Sequence, residues 1–305
     1  MPLSLKSSMQ QMIVKPTFKK PIYKGILDSL SSSSKTNLVG IYAFKKCFTT
    51  YDGPVVQIRR ASDNATQNFY ADSTGVLGTN VNGTGTSLSS WLTATTGYVT
   101  IWYDQSGRGV VMSQSTTSYQ PQILLSDGNG ICLVLNTIIP NTACQLQTST
   151  TGVWSSTTTS NFHVFTAIKT VTNLSGFFNF TLNLTPSTSR AVAQIPWTDG
   201  KYYFDAPQSN RAQYLTANYV PINSIGYFSM WKSTTSNNTG IKIVKSDRTS
   251  TVTATGTNNT TANVTMIGLN NGAGSNAPNT NVYVMAVFTQ SINGTSDETL
   301  LINSF

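Results

Sequence analysis

Residues 41–60 read IYAFKKCFTTYDGPVVQIRR, and residues 97–109 read GYVTIWYDQSGRG. Each stretch carries a short run of β-branched and aromatic residues closed by Asp, Gly or Pro, the pattern of a strand running into a tight turn. In VVQIRR, Val56 and Ile58 share one face, so alternation places Arg60 on that core-facing side and Arg59 on the other. A guanidinium turned inward needs a carboxylate or several carbonyls. In YDQSGRG, Asp104 opens a turn in which its carboxylate accepts backbone N–H groups, while Gly107 and Gly109 permit positive φ. The expectation is a structural polar cluster of Arg60, Asp63 and Asp104, with Arg60 buried against one of the two aspartates.

Outward from these stretches the rhythm continues. Apolar runs separated by turn residues lie at 38–44, 55–59, 98–102, 131–136, 162–168, 176–182, 201–204, 225–231, 240–245, 262–268 and 281–289. Eleven candidate strands with turn-rich joints indicate an all-β sandwich or jelly roll. Composition agrees, because Ser, Thr and Asn supply 109 of 305 residues and charged residues only 10%, against roughly 25% in ordinary soluble domains. Long surface helices need more Glu, Lys and Ala than this. Helix signals are confined to SLSSWLTA (87–94), capped by Ser87, and SDETLLINS (296–304), where Ser296 precedes an acidic first turn. With no fixed-period repeat and no Pro-rich linker, one domain over 37–305 is expected.

The net charge of +8 is unevenly placed. Residues 1–60 hold ten basic residues against two acids, whereas the remaining 245 carry nine of each sign. The chain therefore reads as a neutral body with a basic N-terminal segment. Residues 1–36 mix lysines, prolines and a serine run without a sustained period, and are expected to form an extended arm. Apolar residues alternate with the lysines, so Lys15, Phe18, Lys19, Lys20, Ile22, Tyr23 and Lys24 are the candidates for docking on a neighbouring subunit; nucleic acid is a partner only through this arm. Cys47, Cys132 and Cys144 have neither a disulfide framework nor a zinc spacing, so reduced thiols are expected. No run matches a signal peptide or a membrane span.

The order strand, Tyr-Asp-Gly-Pro turn, strand ending Arg-Arg-x-Ser-Asp, and later strand ending Trp-Tyr-Asp-Gln-Ser-Gly-x-Gly resembles the N-terminal half of the arabinofuranosidase B-type catalytic domain. The resemblance covers about 70 residues. It implies a concanavalin A-like jelly-roll β-sandwich, of a kind also met in non-enzymatic phage and large DNA virus proteins. It further implies two catalytic carboxylates in the second half of the domain, and there this sequence departs. A retaining glycosidase needs two carboxyl groups roughly 5–5.5 Å apart. Here there is one glutamate, Glu298, and no acid at all between Asp127 and Asp199 or between Asp247 and Asp297. The loop IGLNNGAGSNAPN (267–279), where the acid/base is implied, offers amides only, and the family's adjacent cysteine pair is missing. Hydrolysis is not expected.

Other chemistries lack their residues. The single histidine, His163, sits among apolar neighbours in FHVFTAI and reads as a packing imidazole; no P-loop, nucleotide fingerprint or metal cluster is present, and no cofactor is expected. Ten N-x-[ST] sequons are no more than this Asn, Ser and Thr content produces by chance. The leading expectation is a non-enzymatic structural component of a viral particle, a minor capsid or vertex protein assembled in the host cytoplasm, with other virion proteins as partners. The alternative is a lectin-like module that binds host or virion glycans, with Trp102, Trp197, Tyr202, Tyr203 and Trp231 as candidate stacking residues and ordinary core packing as the competing reading of each. An active arabinofuranosidase ranks last.

Overall fold

The computed structural model describes residues 24–72, 74–81, 84–135, 144–148, 158–159, 161–171, 178–181, 191–197, 199–206, 211–233, 238–257, 262–263, 267–271 and 280–305. Two antiparallel sheets face each other. The first runs in spatial order Thr251–Thr257, Asn238–Lys245, Ile225–Ser233, Phe162–Thr170 and Thr280–Phe288, and ends with Leu38–Ala43 and Cys132–Leu135 lying end to end beside Thr280–Phe288. The second runs Thr66–Ala71, Val56–Arg60, Gly97–Trp102, Met112–Ser113, Gln145–Gln147, Gly268–Asn271, Phe178–Thr181, Val192–Gln194, Tyr202–Asp205 and Arg211–Tyr214. Gln122–Leu124 joins the sheets by pairing with both Gly97–Trp102 and Cys132–Leu135.

Alternation builds the core. Tyr42, Val56, Ile58, Phe69, Trp102, Phe162, Phe204, Phe228 and Met285 meet between the sheets, each fully or almost fully withdrawn from solvent. The runs FHVFTAI and NVYVMAVF are apolar without alternation because the first sheet is covered on both faces. Its second face carries Ile41, Phe165, Ala167, Tyr227, Ala286 and Phe288, buried under Leu27, Leu30, Leu301 and Ile302. The fold is thus an all-β sandwich of two antiparallel sheets, one of them capped by residues from segments 27–30 and 301–302.

That cap corrects the expected arm boundary at residue 36. Leu27 and Leu30 lie in the core, Ser31 caps a short helix α1 (Ser32–Asn37) by accepting from Ser34 N, and only the part of the arm before residue 24 lies outside the described residues. The serine run is therefore a helix start, and not a linker. Helix α2 (Leu88–Trp91) begins at Ser87 as expected, while α3 (Ser296–Ser304) is capped by Thr295, one residue earlier than Ser296. Asp297 of α3 accepts from Ser31 N, Ser31 Oγ and Ser34 Oγ, tying the two caps together.

Candidate functional site

A groove of about 620 Å³ lies on the solvent side of the second sheet. Its floor comes from outward-pointing residues of four neighbouring strands: Gln57, Thr100 and Ile101, Ser113, and Gln145 with Gln147. A β-bulge lies in its floor. Gln57 pairs with Ile101 and Ile58 with Val99, so Thr100 is the extra residue and turns to the same side as Ile101. One wall is the segment Gln114–Thr116 with Tyr119.

Hydrogen bonds fix the floor. Thr100 Oγ1 donates to Gln57 Oε1 at 2.8 Å, Gln57 Nε2 to Asn68 Oδ1 at 3.1 Å, and Tyr103 OH to the same Asn68 oxygen at 3.0 Å. The wall is held from behind by Arg59, whose Nε donates to Gln120 Oε1 at 2.7 Å while Gln120 Nε2 donates to Gln114 O at 3.0 Å. By contrast, the side-chain amides of Gln145 and Gln147 have no partner among the described residues and face the groove. The described lining is uncharged. It offers amide and hydroxyl donors and acceptors in fixed positions, beside the partly exposed ring of Tyr119.

The expected polar cluster is divided and partly inverted. Arg60 sits at the rim where the sheet ends, over the Trp91 ring at 4.7 Å, and pairs with Asp63 in a solvated contact. It is not buried. The buried arginine is Arg59, because the segment around Gln120 covers the face that strand alternation alone assigns to solvent; its NH1 also donates to Asn64 Oδ1 at 2.9 Å. Asp104 takes no part in either pair. Its carboxylate accepts from Ile41 N (3.0 Å), Ser106 N (2.8 Å), Ser106 Oγ (2.7 Å) and Gly109 N (3.1 Å). Gln105 completes the joint by accepting from Cys47 N and donating to Ala43 O and Lys45 O. The Tyr-Asp-Gln-Ser-Gly motif is a splint that fastens the 41–47 strand and its exit, with Gly107 and Gly109 at φ +86° and +73°.

Four of the five candidate stacking aromatics are interior. Trp102 packs parallel to Phe44 at 4.9 Å, Tyr202 stacks on Phe228, Tyr203 lies under Arg211, and Trp231 donates from Nε1 to Asn238 Oδ1. Trp197 alone is half-buried. His163 is fully enclosed, with Ile292 N donating to its Nδ1 and its ring parallel to Trp231; burial pushes its pKa down to about 4. Of the candidate docking residues, Lys24 is exposed, and Lys15, Phe18, Lys19, Lys20, Ile22 and Tyr23 lie outside the described residues.

Three of the described carboxylates away from the groove are engaged by cations, hydroxyls or amides. Asp205 is held by both Nε and NH2 of Arg211, at 2.7 and 2.8 Å. Glu298 is enclosed, and its Oε2 receives both Lys242 Nζ at 2.8 Å and Gly294 N at 2.9 Å, while its Oε1 is buried without a hydrogen-bond partner among the described residues. Asp127 receives Lys169, Tyr283 and Asn281. In the loop 267–279, residues 272–279 lie outside the described residues. Among the described residues no group of three His, Cys, Asp or Glu could hold a metal, and no helix is long and apolar enough to cross a membrane. The groove itself escapes sequence reasoning because its residues are common polar types from distant segments. The alternation of QLQ at 145–147 is the one local hint.

Comparison with known proteins supports this architecture. The family profile described as alpha-L-arabinofuranosidase B, catalytic, matches residues 30–130, the part that holds the splint. A GH54 α-L-arabinofuranosidase soaked with 4-nitrophenyl α-L-arabinofuranoside is similar over 89% of this chain, at 13% identity and a TM-score of 0.65. An arabinofuranosidase complexed with arabinofuranosyl-alpha-1,2-xylobiose is similar over 88%, at 14% identity and a TM-score of 0.62. The chain spans 64% and 62% of the length of these two structures, and the likeness is one of fold. No curated protein sequence matches the chain.

Proposed function

We propose that the protein is a carbohydrate-binding β-sandwich that holds a neutral glycan in the groove of the second sheet and does not hydrolyse it. The observation that carries this reading is the pair of unengaged amides, Gln145 and Gln147, on an uncharged, hydrogen-bond-fixed floor. Sugar hydroxyls each donate and accept, and fixed amides and hydroxyls match them without the desolvation cost of a charge. Tyr119 supplies the aromatic face that the buried tryptophans do not. The absence of carboxylates from the described lining, and the engagement of Asp205, Glu298 and Asp127 elsewhere, support binding without turnover.

The test is a glycan array read with the wild type and with the Gln145→Ala/Gln147→Ala double variant. Neutral glycans bound by the wild type and weakened at least tenfold in the variant support the groove. Equal binding by both proteins excludes it.

A second reading concerns the setting. The lysines before residue 24 (Lys6, Lys15, Lys19 and Lys20), with no acid among them, favour a structural component of a viral particle that engages neighbouring subunits through its N-terminal segment. Stoichiometric copurification with particles supports it, and absence from purified particles rejects it.

A further inference from the structure

The strand Thr251–Thr257, sequence TVTATGT, forms one edge of the first sheet and pairs only with Asn238–Lys245 among the described residues. Its pairing is regular over seven residues with no bulge. It carries no Lys, Pro or other charge, the devices that usually keep an exposed edge from pairing further.

The direction of its free backbone groups follows from the hairpin. Lys245 N donates to Ser250 O at 2.9 Å, which makes Lys245 and Ser250 a hydrogen-bonded pair. Antiparallel ladders alternate, so Val252, Ala254 and Gly256 point their backbone groups inward to the neighbouring strand. Thr251, Thr253, Thr255 and Thr257 point theirs outward. Thr251, Thr253 and Thr255 are also exposed in their side chains, and none of these outward N–H groups has a backbone partner among the described residues.

This edge is self-complementary. Placed antiparallel to itself about a two-fold axis at Ala254, it sets Thr251 against Thr257 and Thr253 against Thr255, so that every outward-facing residue meets another threonine and no like charges meet. An axis at Thr253 would engage one fewer outward residue on each strand. We propose that two copies of this chain associate through Thr251–Thr257, joining their first sheets into one continuous antiparallel sheet across a two-fold axis.

Two sets of variants test it in the full chain. Thr253→Pro removes an N–H that points outward, so it spares the chain's own ladder, and edge strands tolerate proline. The mass from light scattering is expected to fall from twice 32.9 kDa to once, with the thermal midpoint kept. Under a mild oxidant, Ala254→Cys is expected to form a disulfide-linked dimer, since it faces its own copy at about 4.5 Å between Cα atoms. Thr251→Cys is not, because it faces position 257. The native cysteines are all buried and do not interfere. A monomeric wild type at every concentration, or cross-linking that is equal at both positions, overturns the proposal. If Thr253→Pro lowers the midpoint, the cysteine pair alone decides.

Discussion

Replacing Asp104 by alanine tests whether the Tyr-Asp-Gln-Ser-Gly motif is a splint. Four donors lose their acceptor: the amides of Ile41, Ser106 and Gly109, and the Ser106 hydroxyl. Ile41 is fully inaccessible, so its N–H is left unsatisfied in the core, which costs about 1–3 kcal/mol by itself. The other three donors lie nearer the surface, where water replaces part of what is lost. Together the loss is about 3–5 kcal/mol. At about 2 °C per kcal/mol for a chain of this size, the thermal midpoint should fall by about 6–10 °C. Asp104→Asn keeps one oxygen for Ile41 and Ser106 but turns an NH2 group toward Gly109 N, so it should cost about 1–2 kcal/mol. Differential scanning fluorimetry on the wild type and both variants measures this. An alanine variant within about 2 °C of wild type, or an asparagine variant as damaged as alanine, would refute the splint.

Three further outcomes follow from buried charge. Burial pushes the Asp127 carboxyl up, but Lys169, Tyr283 and Asn281 outweigh it and hold the pKa at about 2. Its contribution, about 2 kcal/mol, is therefore complete above the unfolded value near 3.9 and is lost as pH falls through about 2, and Asp127→Asn should flatten stability over that window. His163, enclosed and neutral, has its pKa lowered to about 4, so the unfolded chain takes up the proton first. Stability should fall by up to about 1.4 kcal/mol per pH unit as pH drops from about 6.5 to about 4, and urea titrations of His163→Gln across that range should lack the slope. Asp297→Ala releases Ser31 and Ser34 from α3, and limited proteolysis should then cut within residues 24–37 faster than in the wild type.

What the sequence made legible depended on local signal. The apolar runs at 38–44, 162–168, 225–231 and 281–289 appear as strands because burial on both faces keeps successive positions predominantly apolar, and the turn glycines at 107 and 109 lie in the φ region that favours glycine. Within the run at 262–268, Ala262–Asn263 pairs with Thr158–Thr159 and Gly268 begins a strand of the second sheet, while residues 264–266 lie outside the described residues. Short polar strands such as Thr66–Ala71 and Arg211–Tyr214 carry too few apolar residues to announce themselves. Strand parity put Val56 and Ile58 inside, as the core has them, yet misjudged Arg59 and Arg60, since parity cannot register the segment near Gln120 that covers one or the sheet end that exposes the other. The groove was invisible for the same reason, its floor being assembled from residues up to 90 positions apart.

Binding without turnover is tested most directly by isothermal titration calorimetry, which reads association and hydrolysis in one experiment. Neutral oligosaccharides selected on the array, and 4-nitrophenyl α-L-arabinofuranoside, are injected into the full-length protein. A saturable heat with the oligosaccharide that is lost in Gln145→Ala/Gln147→Ala, and a return to baseline after every injection of the arabinofuranoside, is the predicted result. Sustained heat in proportion to protein concentration would mean hydrolysis and contradict the account, as would the absence of binding heat with every neutral oligosaccharide.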